Sequence, residues 1–459
     1  MTPAHVAVID VGKTNAKLVL VDTADLSEID VVTRPNIVLS GPPYPHFDVD
    51  GHWDFLLDGL GRFHAKHGID AISVTTHGAS GALIGADGTL AAPILDYEQT
   101  GPDEVAEDYD AIRPNFKETG SPRLPGGLNL GAQIHWQFFK DPGLRERTQS
   151  IVTYPQYWGH RLTGVLASDV SSLGCHTDLW NPFERRFSSL IDRLSIAEKV
   201  APARTSAEVL GPLLPEIATH TGLREGTPVH CGIHDSNASL LPHVMRRKPP
   251  FSVVSTGTWV IVMTMGGAKV ALDPARDTLV NVSALGQPVP SARFMGGREF
   301  ELILDRYSGD CDETALARVA ADGPMLMPAV VPESGPFQGR VARWAGSEPG
   351  TGSAERAASL GFYLAMMTAE CLSLTGHRGK IIVEGPFRGN MAYLKMLSAA
   401  TGSPVMVARG STGTGQGAAM LALGIDGLPL EPDGTRIAPS ITSMFATYAQ
   451  SWREAARAV

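Results

Sequence analysis

Two short apolar runs open the chain, Val6 to Ile9 and Leu18 to Val21, separated by a small polar turn. Both are rich in β-branched residues, so the segment predicts a hairpin. Ile29 to Thr33 predicts a third strand. Trp53 to His67 sets Phe55, Leu56, Leu60 and Phe63 at helical spacing, and Ile69 to Thr75 is strand-like again. Thr100 to Leu130 is rich in Pro, Gly and charge and predicts a long loop or a small insertion; Ser168 to Trp180 predicts a loop. Helices are expected from Gln133 to Lys140, over Gln156 to Thr163 with a stop at Gly164, and from Ser189 to Val200. A strand at Val229 runs into a polar cluster, and a helix is expected to begin at Ser236 or Asn237. Phe251 to Val262 repeats the opening plan of strand, small polar turn and strand. Met295 to Ile303 predicts a glycine turn entering a helix. Ala354 to Thr375 predicts a long helix, with Leu360, Leu364, Met367, Cys371 and Leu374 on one face. Lys380 to Val383 (strand), Met391 to Ala400 (helix) and Val405 to Val407 (strand) follow. Glycines from 410 to 417 open a helix to Leu423, and Met444, Phe445, Tyr448 and Trp452 place a helix in the tail.

Strand, strand, strand, helix, strand is the order of a ribonuclease-H-like half, and its partial recurrence suggests two of them. A chain of 459 residues has room for two or three domains. The net charge of −10 argues against a general nucleic-acid or anionic-membrane binder. Four scattered cysteines form no Cys-x-x-Cys, so buried thiols in a reducing cytoplasm are expected rather than zinc or disulfides. No leader pattern precedes the first strand. The apolar stretch Phe251 to Met265 is too short for a bilayer, so no membrane role is expected.

The candidate chemistry sits where apolar strands end. Asp10, an acceptor when ionised, suits the water shell of a magnesium ion. Beside it Gly12 allows close main-chain approach, Thr14 and Asn15 supply donors, and Lys13 and Lys17 supply charge. Gly12-Lys13-Thr14 is not the end of a P-loop, which needs Gly at position 7, where Ala stands. His77 and Asp96 lie at strand ends and are candidate ligand contacts, against the plainer reading of a core histidine and a turn aspartate. Asp235 stands near a helix start, as a plain N-cap or as a base for a hydroxyl proton. Ser255, Thr256 and Thr258 could hydrogen-bond phosphate oxygens. The glycines ending at Gly417 are not a dinucleotide fingerprint, but suit a flat adenine against backbone.

Taken in order, the segments Asp10-Val11-Gly12-Lys13-Thr14-Asn15, Gly232-Ile233-His234-Asp235, Ser255-Thr256-Gly257-Thr258-Trp259 and Gly417-Ala418-Ala419 resemble the motifs of the FGGY carbohydrate kinases. The resemblance covers roughly Val6 to Leu423. It implies an α/β fold of two ribonuclease-H-like, actin-like ATPase domains with an interdomain cleft. It places an N-terminal sugar-binding and catalytic domain at 1–245, a nucleotide-binding domain at 246–435 and a helical tail at 436–459. It implies ATP and Mg2+ as cofactors and a sugar as the other partner, and leaves a homodimer open. Asp235 becomes the general base and Asp10 the magnesium-shell carboxylate. Sugar contacts fall to His77, Gly78, Asp96, His234 and Asp235. ATP contacts fall to Gly12, Lys13, Thr14, Asn15, Thr256, Gly257, Thr258, Gly297, Gly385, Asn390, Gly415 and Gly417. The chain departs from the family at Gly385-Pro386-Phe387, where a run of glycines is usual. Asp96-Tyr97-Glu98 is not the Trp-Asn-Asp common in xylulose kinases. Histidine beside the catalytic aspartate resembles the L-rhamnulose and L-fuculose kinases, so a ketose or deoxyketose is expected. The rivals are a chaperone-like or filament-forming ATPase and a non-catalytic sugar-binding regulator.

Overall fold

A computed structural model describes residues 2–304, 311–408, 413–424, 434–438 and 444–458. The expected Gly410 and the segment around Pro429 lie outside them. The chain forms two compact units: Met1–Arg246 with Val280–Pro288 and Thr412–Pro429, and Arg247–Leu279 with Val289–Ser411 and Leu430–Val459. Gly415 and Gly417 therefore belong to the first unit, and the tail helix Met444–Arg457 to the second.

The first unit is built on a seven-stranded sheet in the order Val209–Pro212, Pro228–His230, Ala71–Thr76, His5–Val11, Asn15–Asp22, Glu28–Pro35, with Ile233–His234 also paired to Ala71–Thr76. His5–Val11 and Asn15–Asp22 form the expected antiparallel hairpin, and its turn is only Gly12-Lys13-Thr14, closed by Gly12 N–H donating to the Asn15 carbonyl. His5–Val11 runs parallel to Ala71–Thr76, with Asp10 opposite Thr75 and Val11 opposite Thr76. Thr76 also faces His234. The register thus brings the carboxyl ends of three parallel strands level, where open α/β sheets hold ligands. The apolar faces of these strands explain the fit: Ala7, Ile9, Val11, Leu18 and Leu20 are all buried against the helix Val49–His67 and its neighbours.

The second unit repeats the local plan. Phe251–Thr256 pairs antiparallel with Val260–Met265 and parallel with Lys380–Glu384, as His5–Val11 does with its two neighbours. The long helix Ala354–Leu374 is the centre of its core. It packs on Met391–Thr401, and a methyl on Gly361 would meet Ala392 Cβ at 2.7 Å. By length and composition this helix could cross a membrane, but 83% of its most apolar window is buried inside the protein. The tail helix seals the same core with Tyr448 and Trp452.

Three expectations on local structure need correction. The segment 100–130 carries helices at Ala106–Ile112 and Phe116–Thr119; the first ends because Arg113 precedes proline and is extended. Ser189 to Val200 is not one helix: Leu190–Arg193 stops at once and Ser195 turns left-handed, at φ 53°. The segment 168–180 is polar without being a solvated loop. Buried Asp169 accepts from Ser206 Oγ at 2.6 Å, from Ser172 N–H at 2.9 Å and from the Ser171 hydroxyl, so the polar groups satisfy one another.

Glu299 in the second unit is wholly buried. One of its oxygens accepts from Val331 N–H at 3.1 Å, and burial pushes its carboxyl up to about 7 from the usual 4.5. The unfolded chain then loses this proton before the folded protein does. The protonated carboxyl's contribution is full below about pH 4.5 and is lost as pH rises to about 7, roughly 3 kcal/mol in all. Glu299→Gln should flatten this dependence, gaining stability relative to wild type at pH 8 but not at pH 4.5 in denaturant titrations. An equal difference at both would show that Glu299 ionises normally.

Candidate active site

Asp10 is the penultimate residue of the first strand, 8% exposed, and its Oδ2 accepts from the Thr414 hydroxyl at 2.6 Å. Burial raises its pKa. The Thr414 hydrogen bond and Lys17 pull it down, and Asp235 pushes it up. Two carboxylates near enough to repel each other, both raised by burial, are a place where a hydrated cation relieves charge. Among the described residues no cluster of three or more His, Cys, Asp and Glu side chains could hold a metal directly. A carboxylate reaching the ion through its water shell fits that donor set.

Asp235 opens the helix Asp235–Arg246, one residue earlier than expected. Its Oδ1 accepts from Ser236 N–H at 2.6 Å, and burial raises its pKa while His77 opposes the rise. The neighbouring His234 is buried and its pKa is pushed down to about 4, so the ring is neutral. Its Nε2 lies 3.0 Å from Asp235 Oδ1, a hydrogen bond from Nε2–H rather than an ion pair. With Nε2 protonated, Nδ1 accepts, and Asn237 Nδ2 lies 3.2 Å away to donate. Cys175 Sγ also sits 3.3 Å from Nε2. The chain from Asn237 through His234 to Asp235 fixes the carboxylate's rotation. Behind it, Ser171 Oγ accepts from His234 N–H at 3.1 Å, tying this turn to the Asp169 network. Nothing in the sequence marked Asn237, Ser171 or Asp169 beyond their polarity.

His77 follows Thr76, its N–H bonded to the Val11 carbonyl at 2.9 Å. Its Nδ1 bonds the Gly78 carbonyl at 2.9 Å, so it carries the proton, and burial keeps the ring neutral with a pKa near 4. Nε2 is then a lone-pair acceptor, buried and without a partner among the described residues. Phe47, Tyr97 and Tyr154 surround it with ring centroids 5.1 Å away in each case. Gly78 is small by necessity, since an added methyl would meet His234 Nε2 at 2.8 Å and Cys175 Sγ at 2.9 Å. An unpartnered acceptor walled by aromatic rings suits a hydroxyl on an apolar-faced sugar.

Other expected contacts are already engaged. Lys13 bonds Asp96 closely, reaches Glu98 at 3.1 Å, and lies 4.7 Å from the Tyr97 ring centroid. It joins the Asp96 side of the site. Thr256 Oγ1 donates to the Glu384 carbonyl at 2.6 Å and accepts from Phe387 N–H at 3.1 Å, so this hydroxyl is a structural tie. Asn390 caps the helix Met391–Thr401 by accepting from Tyr393 N–H. Gly297 N–H donates to the Thr258 carbonyl, and a methyl on Gly297 would meet the Gly257 carbonyl at 2.1 Å. Gly385 has φ +83°, and its methyl would meet the Thr256 carbonyl at 1.9 Å. Those glycines hold the 256–258 turn in shape, whereas the Thr258 side chain is exposed. In the first unit Gly12 and Asn15 form the hairpin turn, Thr14 accepts Asn36 N–H on its carbonyl, and Gly415 packs on Val19.

Residues 5–242 match the description "FGGY family of carbohydrate kinases, N-terminal domain", and residues 248–429 match "Carbohydrate kinase FGGY, C-terminal domain". An L-fuculokinase of Salmonella typhi is 25% identical over 270 residues, 57% of each chain. The chain thus matches little more than half the length of that curated relative. The crystal structure of a carbohydrate kinase from Novosphingobium aromaticivorans is 37% identical, with a TM-score of 0.90 over 98% of this chain and all of that one. A ligand-bound xylulose kinase from Lactobacillus acidophilus is 17% identical with a TM-score of 0.78, covering 99% and 98% of the two chains, a likeness of fold.

Proposed function

The chain belongs to the FGGY family of carbohydrate kinases, and from that premise we propose that it transfers the terminal phosphoryl group of ATP to a hydroxyl of a ketose or deoxyketose in the cytoplasm. The observation that carries this reading is the carboxylate of Asp235, held in one rotation by a neutral His234 beside the unpartnered acceptor of His77. In this reading Asp235 takes the proton from the sugar hydroxyl as that oxygen attacks phosphorus. Phosphoryl transfer depends mostly on positioning and charge stabilisation, so a positioned carboxylate is an adequate base once it is ionised. His234 donates to one carboxylate oxygen, which leaves the other for the hydroxyl. His77 Nε2 accepts a second sugar hydroxyl, and Asp96, oriented by Lys13, accepts a third.

Asp10 would hold the water shell of magnesium, which when bound neutralises charge on the phosphates. The turn Gly12 to Asn15, whose Gly12 amide closes the hairpin, offers the main-chain amides of Lys13 and Thr14 to phosphate oxygens. The L-fuculokinase relative and the histidine at 234 support an L-fuculose-like or L-rhamnulose-like substrate, or a pentulose.

A coupled ADP-release assay over ketoses, deoxyketoses and sugar alcohols tests the reading. Turnover strongly stimulated by one or a few ketoses is expected. ATP hydrolysis indifferent to every sugar would point to an ATPase that is not a kinase. His77→Leu should raise KM for the sugar about tenfold, the order of one lost hydrogen bond to a buried acceptor, with kcat changed much less. An unchanged KM would remove His77 from the sugar site.

A further inference from the structure

In the second unit a cavity of about 460 Å³ lies between the tail helix, the turn at Pro336–Arg340 and the helix Ala354–Leu374. Arg276, Arg340, Arg453 and Arg457 line it, against a single carboxylate, Glu370. A concentration of four guanidinium groups is unexpected in a chain of net charge −10. Three of the four, Arg276, Arg340 and Arg453, make hydrogen bonds within the unit. Arg276 donates to Glu370 at 2.8 Å and to the Pro336 carbonyl at 3.0 Å. Arg340 bonds the Ala456 carbonyl and Arg453 the Ala400 carbonyl. Carbonyl bonds satisfy N–H groups but leave charge uncancelled, and Glu370 offsets only one of the four. Burial pushes the Arg453 pKa down; Glu370 opposes this and Arg457 adds to it.

Arg453 and Arg457 stand four residues apart on one helix, a like-charge spacing that costs helix stability. Glu454 lies between them in sequence and bonds Gln450 at 3.0 Å, and it is not among the residues that line the cavity. The guanidinium groups of Arg340 and Arg276 lie 4.9 and 5.7 Å from the Phe337 ring centroid, which keeps both planar forks oriented. A volume of this size suits a small metabolite. Planar forks around it match the phosphoryl dianion of a small molecule better than a nucleic-acid backbone, because the cations line a pocket rather than a stripe.

We propose that this pocket is a second ligand site that binds the phosphoryl group of a small metabolite, separate from the Asp10 and Asp235 cluster and independent of the activity assigned to that cluster. The phosphoryl group could come from inorganic phosphate, a sugar phosphate or a nucleotide.

Calorimetric titration of the full chain with inorganic phosphate, fructose 6-phosphate and ADP in separate arms tests the proposal and identifies the source. Arg457 is exposed, so Arg457→Glu should leave the fold and basal kinase turnover intact. At least one ligand should bind wild type with an affinity that Arg457→Glu weakens tenfold or more and Arg457→Lys largely restores. Ligand binding at the Asp10 and Asp235 cluster should be equal in the three proteins. If no arm differs between wild type and Arg457→Glu, or wild type binds none of the three, the pocket is not a phosphoryl site.

Discussion

Asp235→Asn should lower kcat by about 10³ to 10⁴, the range spanned by a positioned acid or base, and leave ATP affinity within about twofold. The substitution is nearly isosteric. The asparagine can still accept from Ser236 N–H, and the Asn237 to His234 contact is untouched. What it loses is the ability to take a proton. The loss should therefore fall on kcat, with nucleotide binding measured by titration preserved. The wild-type pH profile carries the same signature. Burial raises the Asp235 pKa, so the acidic limb of kcat should lie above the usual carboxylate range, with activity rising as the group ionises. An Asp235→Asn protein with more than a tenth of wild-type kcat would show that another group accepts the proton.

Gly417→Ala should cost about 4 kcal/mol of stability, beyond ordinary overpacking because the obstacle is main chain. A methyl there would stand 1.9 Å from the Ala238 carbonyl oxygen, and neither partner is a side chain that could swing away. Pro242 lies inside the helix Asp235–Arg246 and has no N–H to offer that carbonyl, four residues before it. The backbone around Gly417 packs into the space beside it. To admit the methyl, the helices Thr414–Ala419 and Asp235–Arg246 must separate. The first carries the hydroxyl that Asp10 accepts from, and the second begins at Asp235. A shift of about 1 Å in such groups can cost 10² in rate, so kcat should fall with stability. Gly389→Ala is the control, since its methyl meets nothing within 4 Å. Equal melting temperatures for the two variants would show that the helices are not packed as described.

The parts of this protein legible in its sequence are those set by local pattern. The hairpin at His5–Asp22 follows from two β-branched apolar runs, buried almost throughout, on either side of a polar turn, and the helix Ala354–Leu374 from its apolar period. Asp10, His77 and Asp235 were visible as polar groups at strand ends. What the sequence hides is which distant group each one meets. Thr414 reaches Asp10 across 404 positions, and no local rule joins a threonine after a glycine run to the first strand. Lys13 reads as a phosphate cation because it lies beside Thr14, yet the fold gives it Asp96 and Glu98. Thr256 reads as a phosphate donor, yet its hydroxyl is spent between Glu384 and Phe387. The segment 168–180 reads as loop because its serines are polar; only the fold supplies Ser206 to share Asp169 with them.

The first unit is assembled from three separated pieces of chain. During translation, Met1–Arg246 leaves the ribosome roughly 165 residues before the piece carrying Thr414 and Gly417. At ordinary synthesis speeds that is a wait of roughly ten to thirty seconds. Throughout it, the Val19 and Ala238 surfaces that later receive that piece stand uncovered. A nascent chain stalled in this interval would expose apolar surface to chaperones, and a fragment ending at residue 246 would keep Asp235 but lack the hydroxyl that steadies Asp10.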